Sequence, residues 1–476
     1  VTSGANNTAL GSYALRYCTT ASDNTAVGKS ALTNNSTGAS NTAVGVNVLA
    51  NNTTADNNTA LGVSALQENT TGTSNVAVGY RALDACKNAL YLNTTGDTNT
   101  AVGIFALDAN TTADGNTGLG YAALTSNTTG QYNTAVGRDA MEDNTTGANN
   151  TAVGYVSLQS NTTGTTNTAV GYYALKSNTT ADNNTAVGYN ALTANTTGNG
   201  LTAVGKDALQ ASTTGNNNSA FGRTSLQSNT TGESNSGFGV NTLYSNTTGA
   251  QNCALGVSAL EANTTADNNV AIGYEAMIVN TTGTSNVAVG YRALDACTTG
   301  SYHTAVGKEA LGAVTTAHKN TAVGYHSLKL NTSGDVNTAV GYGSLTANTS
   351  GSNNVAIGND CLVANTTGTY NCAVGYAAMQ ANTTGQRNTA IGYATLDANV
   401  GGGYNTACGM FAMTTSTSDG YNAAFGYMAL GTLDGGEENA AFGYTAMNDS
   451  TTADMNCAFG AGALKENTSG SNNVAI

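Results

Sequence analysis

The chain has 476 residues, with 59 glycines, no proline, no tryptophan and a formal net charge of −14. The 14 Lys and Arg residues do not cluster, which argues against a nucleic-acid partner, because nucleic-acid binding needs a basic patch. No apolar run approaches the roughly 20 residues of a membrane span, so we expect no membrane insertion. The chain opens and stops within a repeat, and we therefore expect it to be a segment of a longer protein.

A repeat of 17 residues accounts for almost the whole chain. It starts at Asn7, returns every 17 residues to Asn75, and after one longer interval runs without a slip from Asn99 to Asn473. Asn holds the first position of all 28 repeats except two, which start at Leu201 and His303. Because a fixed short period dictates the architecture, we predict one continuous repeat array over residues 1–476.

Positions within the repeat differ sharply in how many residue types occur at them. The fifth position is Gly in every complete repeat, which indicates a positive φ or a close backbone approach. The ninth is Leu or Met, the fourth is almost always Val, Ile, Leu or Phe, and the third is Ala or Gly. We predict structural ladders at four of these positions, represented by Gly154, Gly171 and Gly188, by Leu158, Leu175 and Leu192, by Val153, Val170 and Val187, and by Asn150, Asn167 and Asn184.

The fold class follows from the length and composition of the unit. Seventeen residues are too few for a helical-hairpin repeat, and the apolar spacing fits no heptad. The Thr-Ala-Val-Gly stretch is short, compatible with a strand and bounded by turn residues. We therefore predict an all-β parallel β-solenoid, or β-roll, with one repeat per turn. Identical side chains then stack, and each first-position Asn amide bonds to the amides above and below it.

The strand predicts an oligomer as well. We expect the fourth position to join the ninth in the core, which leaves the alanines of the third position on the opposite face. A strand face that carries only alanine or glycine in every turn is expected to be buried against another chain. We therefore predict a homotrimer that covers these alanines, among them Ala169, Ala186 and Ala203. The alternative is a single-chain solenoid.

Two segments depart from the regular pattern. Seven residues, 87–93, are inserted into one turn, and this loop is either a tolerated bulge or a partner contact in which Lys87 and Tyr91 take part. Residues 401–476 have irregular turns and carry Phe425, Phe442 and Phe459 at the fourth position. We expect the coil to widen there.

The residue pattern predicts no catalytic residue, no cofactor and no metal. The eight cysteines have no ligand spacing, and we expect them to be small buried fillers, with interchain disulfides as an alternative. The three histidines take three different repeat positions. Aspartates recur in the turns, but not in the successive turns that a calcium-binding coil requires; examples are Asp56, Asp182, Asp267 and Asp454.

Three surface features leave alternatives open. The Asn-Thr-Thr turns, as at Asn161, Asn195 and Asn280, are either turn chemistry or glycosylation sequons. Stacked threonines suggest an ice-binding face, but the adjacent Thr196 and Thr197 of an extended segment are expected to point opposite ways. The tyrosine column at the sixth position is either an aromatic ladder or a surface that stacks sugars; it includes Tyr155, Tyr172 and Tyr189.

The Asn-Val-Ala-Ile-Gly-Tyr and Asn-Thr-Ala-Val-Gly-Tyr blocks resemble the head repeats of trimeric autotransporter adhesins. The longer unit from Asn167 to Asn183 resembles repeats of phage and prophage tail-fibre proteins that carry an endosialidase-type chaperone domain. These resemblances imply a non-enzymatic fibre shaft on a virion or another extracellular surface. The alternatives are an adhesin head that binds a host-surface glycan or receptor, a self-assembling extracellular filament and, last, an ice-binding solenoid.

Overall fold

A computed structural model describes residues 2–83 and 95–476, so the insertion at 87–93, with Lys87 and Tyr91, lies outside the described residues. The chain divides into two compact units, Val1–Gly237 and Phe238–Ile476. The described residues contain no helix. Their strands are β1 Thr8–Leu10, β2 Thr25–Val27, β3 Thr42–Val44, β4 Thr59–Leu61, β5 Val76–Val78, β6 Thr100–Val102, β7 Thr117–Leu119, β8 Thr134–Val136, β9 Thr151–Val153, β10 Thr168–Val170, β11 Thr185–Val187, β12 Thr202–Val204, β13 Ser219–Phe221, β14 Ser236–Phe238, β15 Cys253–Leu255, β16 Val270–Ile272, β17 Val287–Val289, β18 Thr304–Val306, β19 Thr321–Val323, β20 Thr338–Val340, β21 Val355–Ile357, β22 Cys372–Val374, β23 Thr389–Ile391, β24 Thr406–Cys408, β25 Ala423–Phe425, β26 Ala440–Phe442, β27 Cys457–Phe459 and β28 Val474–Ala475.

Strand pairing confirms the predicted β-solenoid. In the first unit, each of β1 to β12 pairs in parallel with the strand that follows it, and residues of the same repeat position face each other, as Thr185 faces Thr202. In the second unit, β15 to β28 pair in the same way. The longer interval does not disturb the register, since Val76 pairs with Thr100. Each repeat is therefore one turn of a parallel coil.

The two faces of the strand are the reverse of those expected from the sequence. The side chains of Ala169 and Ala186 are fully buried within a single chain, whereas Val170 and Val187 are each 36% exposed. The prediction that the fourth position lines the core and that the third faces a partner chain is therefore wrong. Val153, Val170 and Val187 do stack in register, but on the outer surface of the coil.

The reason is the narrow interior of a 17-residue turn. The core of a regular turn already holds a large ninth-position side chain and two asparagines, so the strand can add only a small residue. The turn with Gly118 at the third position shows the space that remains: a Cβ there would lie 3.3 Å from the Cγ of Leu107. Alanine requires its neighbours to shift by only a few tenths of an ångström, whereas the two further methyl groups of valine require more room than the turn offers.

The ninth and fifth positions behave as predicted. Leu192 is fully buried, as are Leu175 and Leu209 in the neighbouring turns. Gly188 has a φ of 140°, and a Cβ on it would lie 2.4 Å from the carbonyl oxygen of Gly205. Both the backbone conformation and the next turn therefore exclude a side chain at this position.

Each turn also bends through residues with positive φ that are not glycine. Within one repeat these are Asn190 (φ 55°) and Leu192 (φ 54°), and the preceding repeat ends on Asn183 (φ 61°). The seventh, ninth and seventeenth positions carry this conformation in nearly every described turn. An L-residue pays roughly 1–2 kcal/mol for it, so hydrogen bonds and packing between turns must offset several kcal/mol of backbone strain per turn.

Candidate functional site

The first-position asparagines bond chiefly to backbone. The Oδ1 of Asn167 accepts the backbone N–H of Asn184 at 3.0 Å, and its Nδ2 donates to the carbonyl of Ala181 at 2.8 Å. Asn150 makes the equivalent bond to the N–H of Asn167 at 2.9 Å. The expected amide-to-amide ladder is therefore wrong for Asn150, Asn167 and Asn184. These buried side chains instead satisfy backbone groups that the coil leaves without partners.

The amide ladder lies at the twelfth position. From Asn110 to Asn195, six buried asparagines in successive turns are joined by five bonds, in which each Nδ2 from Asn127 onward donates to the Oδ1 of the asparagine one turn before, at distances of 2.8 to 3.1 Å. The same Nδ2 also donates to a carbonyl three residues later, as from Asn161 to Gly164 at 2.9 Å. Since Asn161, Asn195 and Asn280 are fully buried, their amides are not open to glycosylation in the folded chain.

His303 replaces the first-position asparagine with the same bonding pattern. Its Nδ1 accepts the N–H of Asn320 at 3.2 Å, and its Nε2 lies 2.6 Å from the carbonyl of Ala317. Burial lowers the pKa of His303 to about 4, so the ring is neutral at physiological pH. Leu201, the other exception, offers no acceptor, and the twelfth position of its turn is Ser212 rather than Asn.

The sixth-position tyrosines form a stacked column. Tyr172 lies 5.2 Å from both Tyr155 and Tyr189, with interplanar angles of 14° and 5°. Arg138 covers the outer face of Tyr155 at 5.8 Å, and Lys206 covers that of Tyr189 at 5.7 Å. Because every ring face in this run is occupied, no sugar ring can stack on one. The geometry favours the aromatic ladder, held by ring stacking and cation–π contacts.

The outward strand face, formed by the second and fourth positions, carries no charge in any of the 28 repeats. Many of its fourth-position side chains are substantially exposed, for example 36% at Val170 and 49% at Leu255. Charged residues lie instead mainly at the sixth, seventh, tenth, eleventh and sixteenth positions of the repeat. One such group in the second unit joins the carboxylate of Glu309 to the ammonium of Lys329 at 2.7 Å. The strand face is thus a continuous neutral surface within each unit.

The sixteenth position explains the recurrent turn aspartates. The Oδ1 of Asp182 accepts the backbone N–H of Thr165, one turn before, at 2.6 Å. Asp56, Asp267 and Asp454 make the equivalent bond. Within residues 2–83 and 95–476, no three His, Cys, Asp or Glu side chains come together in a way that could hold a metal ion. At the sixteenth position, a short side chain with an acceptor oxygen satisfies the backbone N–H of the same position one turn before.

Sequence reasoning missed one grouping that the coil creates. Ser301, His318 and Asp335 follow one another along the sixteenth position, and only their 17-residue spacing signals it. The Nδ1 of His318 accepts the backbone N–H of Ser301 at 3.1 Å, and Asp335 accepts the N–H of His318 at 2.7 Å. A neutral His318 then carries its proton on Nε2 and has no lone pair for a serine hydroxyl. These residues cap backbone and do not form a nucleophile–base pair.

Some of the described cysteines lie inside the coil and the others on its outer surface. Cys18, Cys297 and Cys361 are buried, as expected of fillers, and burial raises the pKa of Cys297 to about 11 and of Cys361 to about 12. The other described cysteines depart from that prediction: Cys253, Cys372 and Cys408 are partly exposed, and Cys457 is exposed. All four lie on the outward strand face. The seven described cysteines are free thiols.

The Thr-Thr pair lies on a bend rather than on an extended segment. The premise of an extended segment is therefore wrong, and Thr196 is half-buried whereas Thr197 is exposed. The hydroxyl of Thr196 donates to the carbonyl of Thr213 at 3.1 Å, so it is committed to the next turn.

The fold and its surfaces define a class: a repetitive parallel β-solenoid whose polar groups mainly serve the coil itself. No helix in the described part of the chain is both long and apolar enough to cross a bilayer. No family model matches the chain, and no curated protein matches it.

Proposed function

We propose that the chain is a structural shaft segment of a fibre, such as a viral tail fibre or a similar extracellular appendage, and that it acts as a homotrimer without catalysis. The observation that supports this proposal is the neutral strand face. A solvent-facing strand ordinarily carries charged residues that prevent sheet-to-sheet association. Here 28 repeats keep the second and fourth positions free of charge while placing charges elsewhere on the turn.

The column of exposed fourth-position Val, Ile, Leu and Phe side chains favours burial of this face between copies. Large exposed apolar surfaces on single chains are rare and mark interaction sites. Because the surface is the same in every copy, a symmetric assembly buries it on a common axis. The three-fold symmetry and the virion setting rest on the resemblance to tail-fibre and adhesin-head repeats. The interface differs from the one expected from the sequence, since it uses Val170 and Val187 rather than Ala169 and Ala186.

The assembly is tested with Val170→Lys combined with Val187→Lys. Two ammonium groups on the strand face prevent its desolvation, so the variant is expected to sediment at the chain mass of 47.5 kDa, whereas the parent sediments at three times that mass. The matched control is Thr180→Lys with Thr197→Lys, two exposed bend positions in the same turns, which should leave the trimer intact.

Circular dichroism checks that all three proteins keep the coil. A parent chain that sediments as a monomer rules out the homotrimer. An unchanged mass of the Val170→Lys, Val187→Lys variant places the interface elsewhere. Ala186→Gln does not test assembly, because Ala186 is buried within its own coil and the substitution should unfold the turn.

A further inference from the structure

A cleft on the surface of the second unit crosses four turns near residues 384–437. Its volume is about 360 Å³. Side chains of the fourteenth and seventeenth positions form its two walls, and the sixteenth position forms its floor. The lining residues are Thr384, Gln386, Gly401, Gly403, Tyr404, Ser418, Gly420, Tyr421 and Glu437.

Missing side chains create this cleft. Gly403 and Gly420 occupy the sixteenth position in successive turns, and Gly401 occupies the fourteenth. Regular turns carry side chains there, for example Asn199 and Asn216 at the sixteenth position. Gly403 and Gly420 do not have the positive φ that requires glycine, so conformation does not account for their presence. What the glycines provide is an open groove over the backbone.

The floor of the groove presents hydrogen-bond donors. In a regular turn, a side chain of the next turn accepts the backbone N–H of the sixteenth position. For example, the N–H of Asp182 donates to the Oδ1 of Asn199 at 2.7 Å. The N–H groups of Gln386, Gly403 and Gly420 have no acceptor among the described residues. Two carbonyls of the floor already accept hydrogen bonds. The backbone N–H of Tyr404 donates to the carbonyl of Gln386 at 3.0 Å, and that of Tyr421 donates to the carbonyl of Gly403 at 3.2 Å. The floor therefore offers a row of donors, spaced by about 4.8 Å from turn to turn.

The walls combine aromatic rings with hydroxyl groups. Tyr404 and Tyr421 stack at 4.9 Å with an interplanar angle of 8°, and Arg387 lies over the other face of Tyr404 at 5.1 Å. Both rings are exposed, at 46% and 59%. Thr384 and Ser418 supply hydroxyls on the opposite wall, and the carboxylate of Glu437 closes one end.

We propose that this groove binds a neutral saccharide. A sugar hydroxyl both accepts from the backbone N–H groups of the floor and donates to Glu437, and the hydroxyls of Thr384 and Ser418 offer further hydrogen-bond partners. The carboxylate of Glu437 and the guanidinium of Arg387 give the groove one charge of each sign, and a cationic ligand finds only donors on the floor. The site stands on one chain, so it does not depend on fibre assembly, and either proposal can fail without the other.

The test fills the groove with a side chain that the repeat already accepts. Gly403→Asn with Gly420→Asn restores the regular sixteenth position and occupies two of the three floor donors, the N–H groups of Gln386 and Gly403. The matched control is Gln131→Asn with Ala148→Asn, at the sixteenth positions of two regular turns. Binding of cellohexaose, maltohexaose and mannohexaose is measured by calorimetry and by tyrosine fluorescence, which is unobscured because the chain has no tryptophan.

At least one of these neutral oligosaccharides is expected to bind the parent and the control, and to bind the filled variant at least about tenfold more weakly, with melting temperatures unchanged. Equal binding by the filled variant overturns the proposal, as does binding of none of the three by the parent. If the filled variant does not fold, Glu437→Gln replaces it, because loss of the carboxylate should weaken saccharide binding. Tighter binding of the anionic probe hexagalacturonate than of any neutral oligosaccharide also overturns it.

Discussion

Two stretches of the coil have the same backbone but different interiors. Between residues 99 and 200, the twelfth position is an unbroken column of bonded asparagines. Between residues 405 and 455, the same position is Ser416, then Leu433, then Ser450, all fully buried. Both stretches keep alanine or glycine at the third position, leucine or methionine at the ninth and parallel pairing of their strands.

The difference separates what the coil requires from what strengthens it. A leucine or a serine at the twelfth position does not change the turn, so the amide column is not needed to close it. The column adds bonded amides in a low-dielectric interior, where neighbouring hydrogen bonds reinforce one another. We therefore expect the coil from 99 to 200 to resist local unfolding more than the coil from 405 to 455, whereas the apolar column should matter equally in both.

The largest expected effect tests the shared apolar column. Leu192→Asp buries an unpaired charge and should cost several kcal/mol, and Leu430→Asp should cost about as much, because both leucines are fully buried. Hydrogen exchange measured by mass spectrometry should show loss of protection centred on the substituted turn in each variant. A Leu192→Asp protein that exchanges like the parent contradicts the stacked-core structure.

The next effect depends on pH and concerns His303. This residue stands where most repeats have asparagine and makes the same hydrogen bonds. Its folded pKa of about 4 lies below the ordinary 6.5, so the unfolded state takes up the proton first. The stability that the neutral ring contributes is complete above pH 6.5 and is lost as pH falls, by about 3 kcal/mol near pH 4. His303→Asn should lack this loss, and unfolding of both proteins from pH 7 to 4 measures the difference.

Breaking the amide column should have a smaller effect. Asn161→Ala removes the donor to Asn144 and the acceptor for Asn178, at a cost of about 2 kcal/mol. The matched change in the other stretch, Ser450→Ala, removes one bond to the carbonyl of Asn467 and should cost about 1 kcal/mol. Local hydrogen exchange compares the two. Equal losses would mean that the amide column does not account for the difference between the stretches.

The smallest effect concerns the positive-φ residues that both stretches share. Val336 is exposed and β-branched, and it has a φ of 57°. Val336→Asn should stabilise its turn by about 1 kcal/mol, because asparagine tolerates this conformation better than valine. The reciprocal change, Asn353→Val, should destabilise the next turn by a similar amount. Thermal unfolding of the pair checks the sign, and two changes of the same sign would contradict the explanation.

The sequence by itself determined the period, the parallel coil, the burial of Leu192 and the absence of a side chain at Gly188. Each follows from repetition, because stacking at a fixed interval brings the same residue type to the same place. Repetition also indicated that asparagines stack. It did not show that the twelfth-position asparagines form an unbroken amide column from Asn110 to Asn195, whereas those of the first position bond chiefly to backbone and join amide to amide only in some turns, since both positions are equally regular in the sequence.

Only the tertiary structure decided which strand face is internal. Alternation along Thr185, Ala186 and Val187 defines two faces but does not say which one points inward, and hydrophobicity favours the wrong one. The width of the closed turn excludes valine beside Leu192 and admits alanine, and that width depends on how the whole turn bends. The groove over Gly403 and Gly420 was hidden for the same reason: residues 17 positions apart become neighbours only when the turns stack.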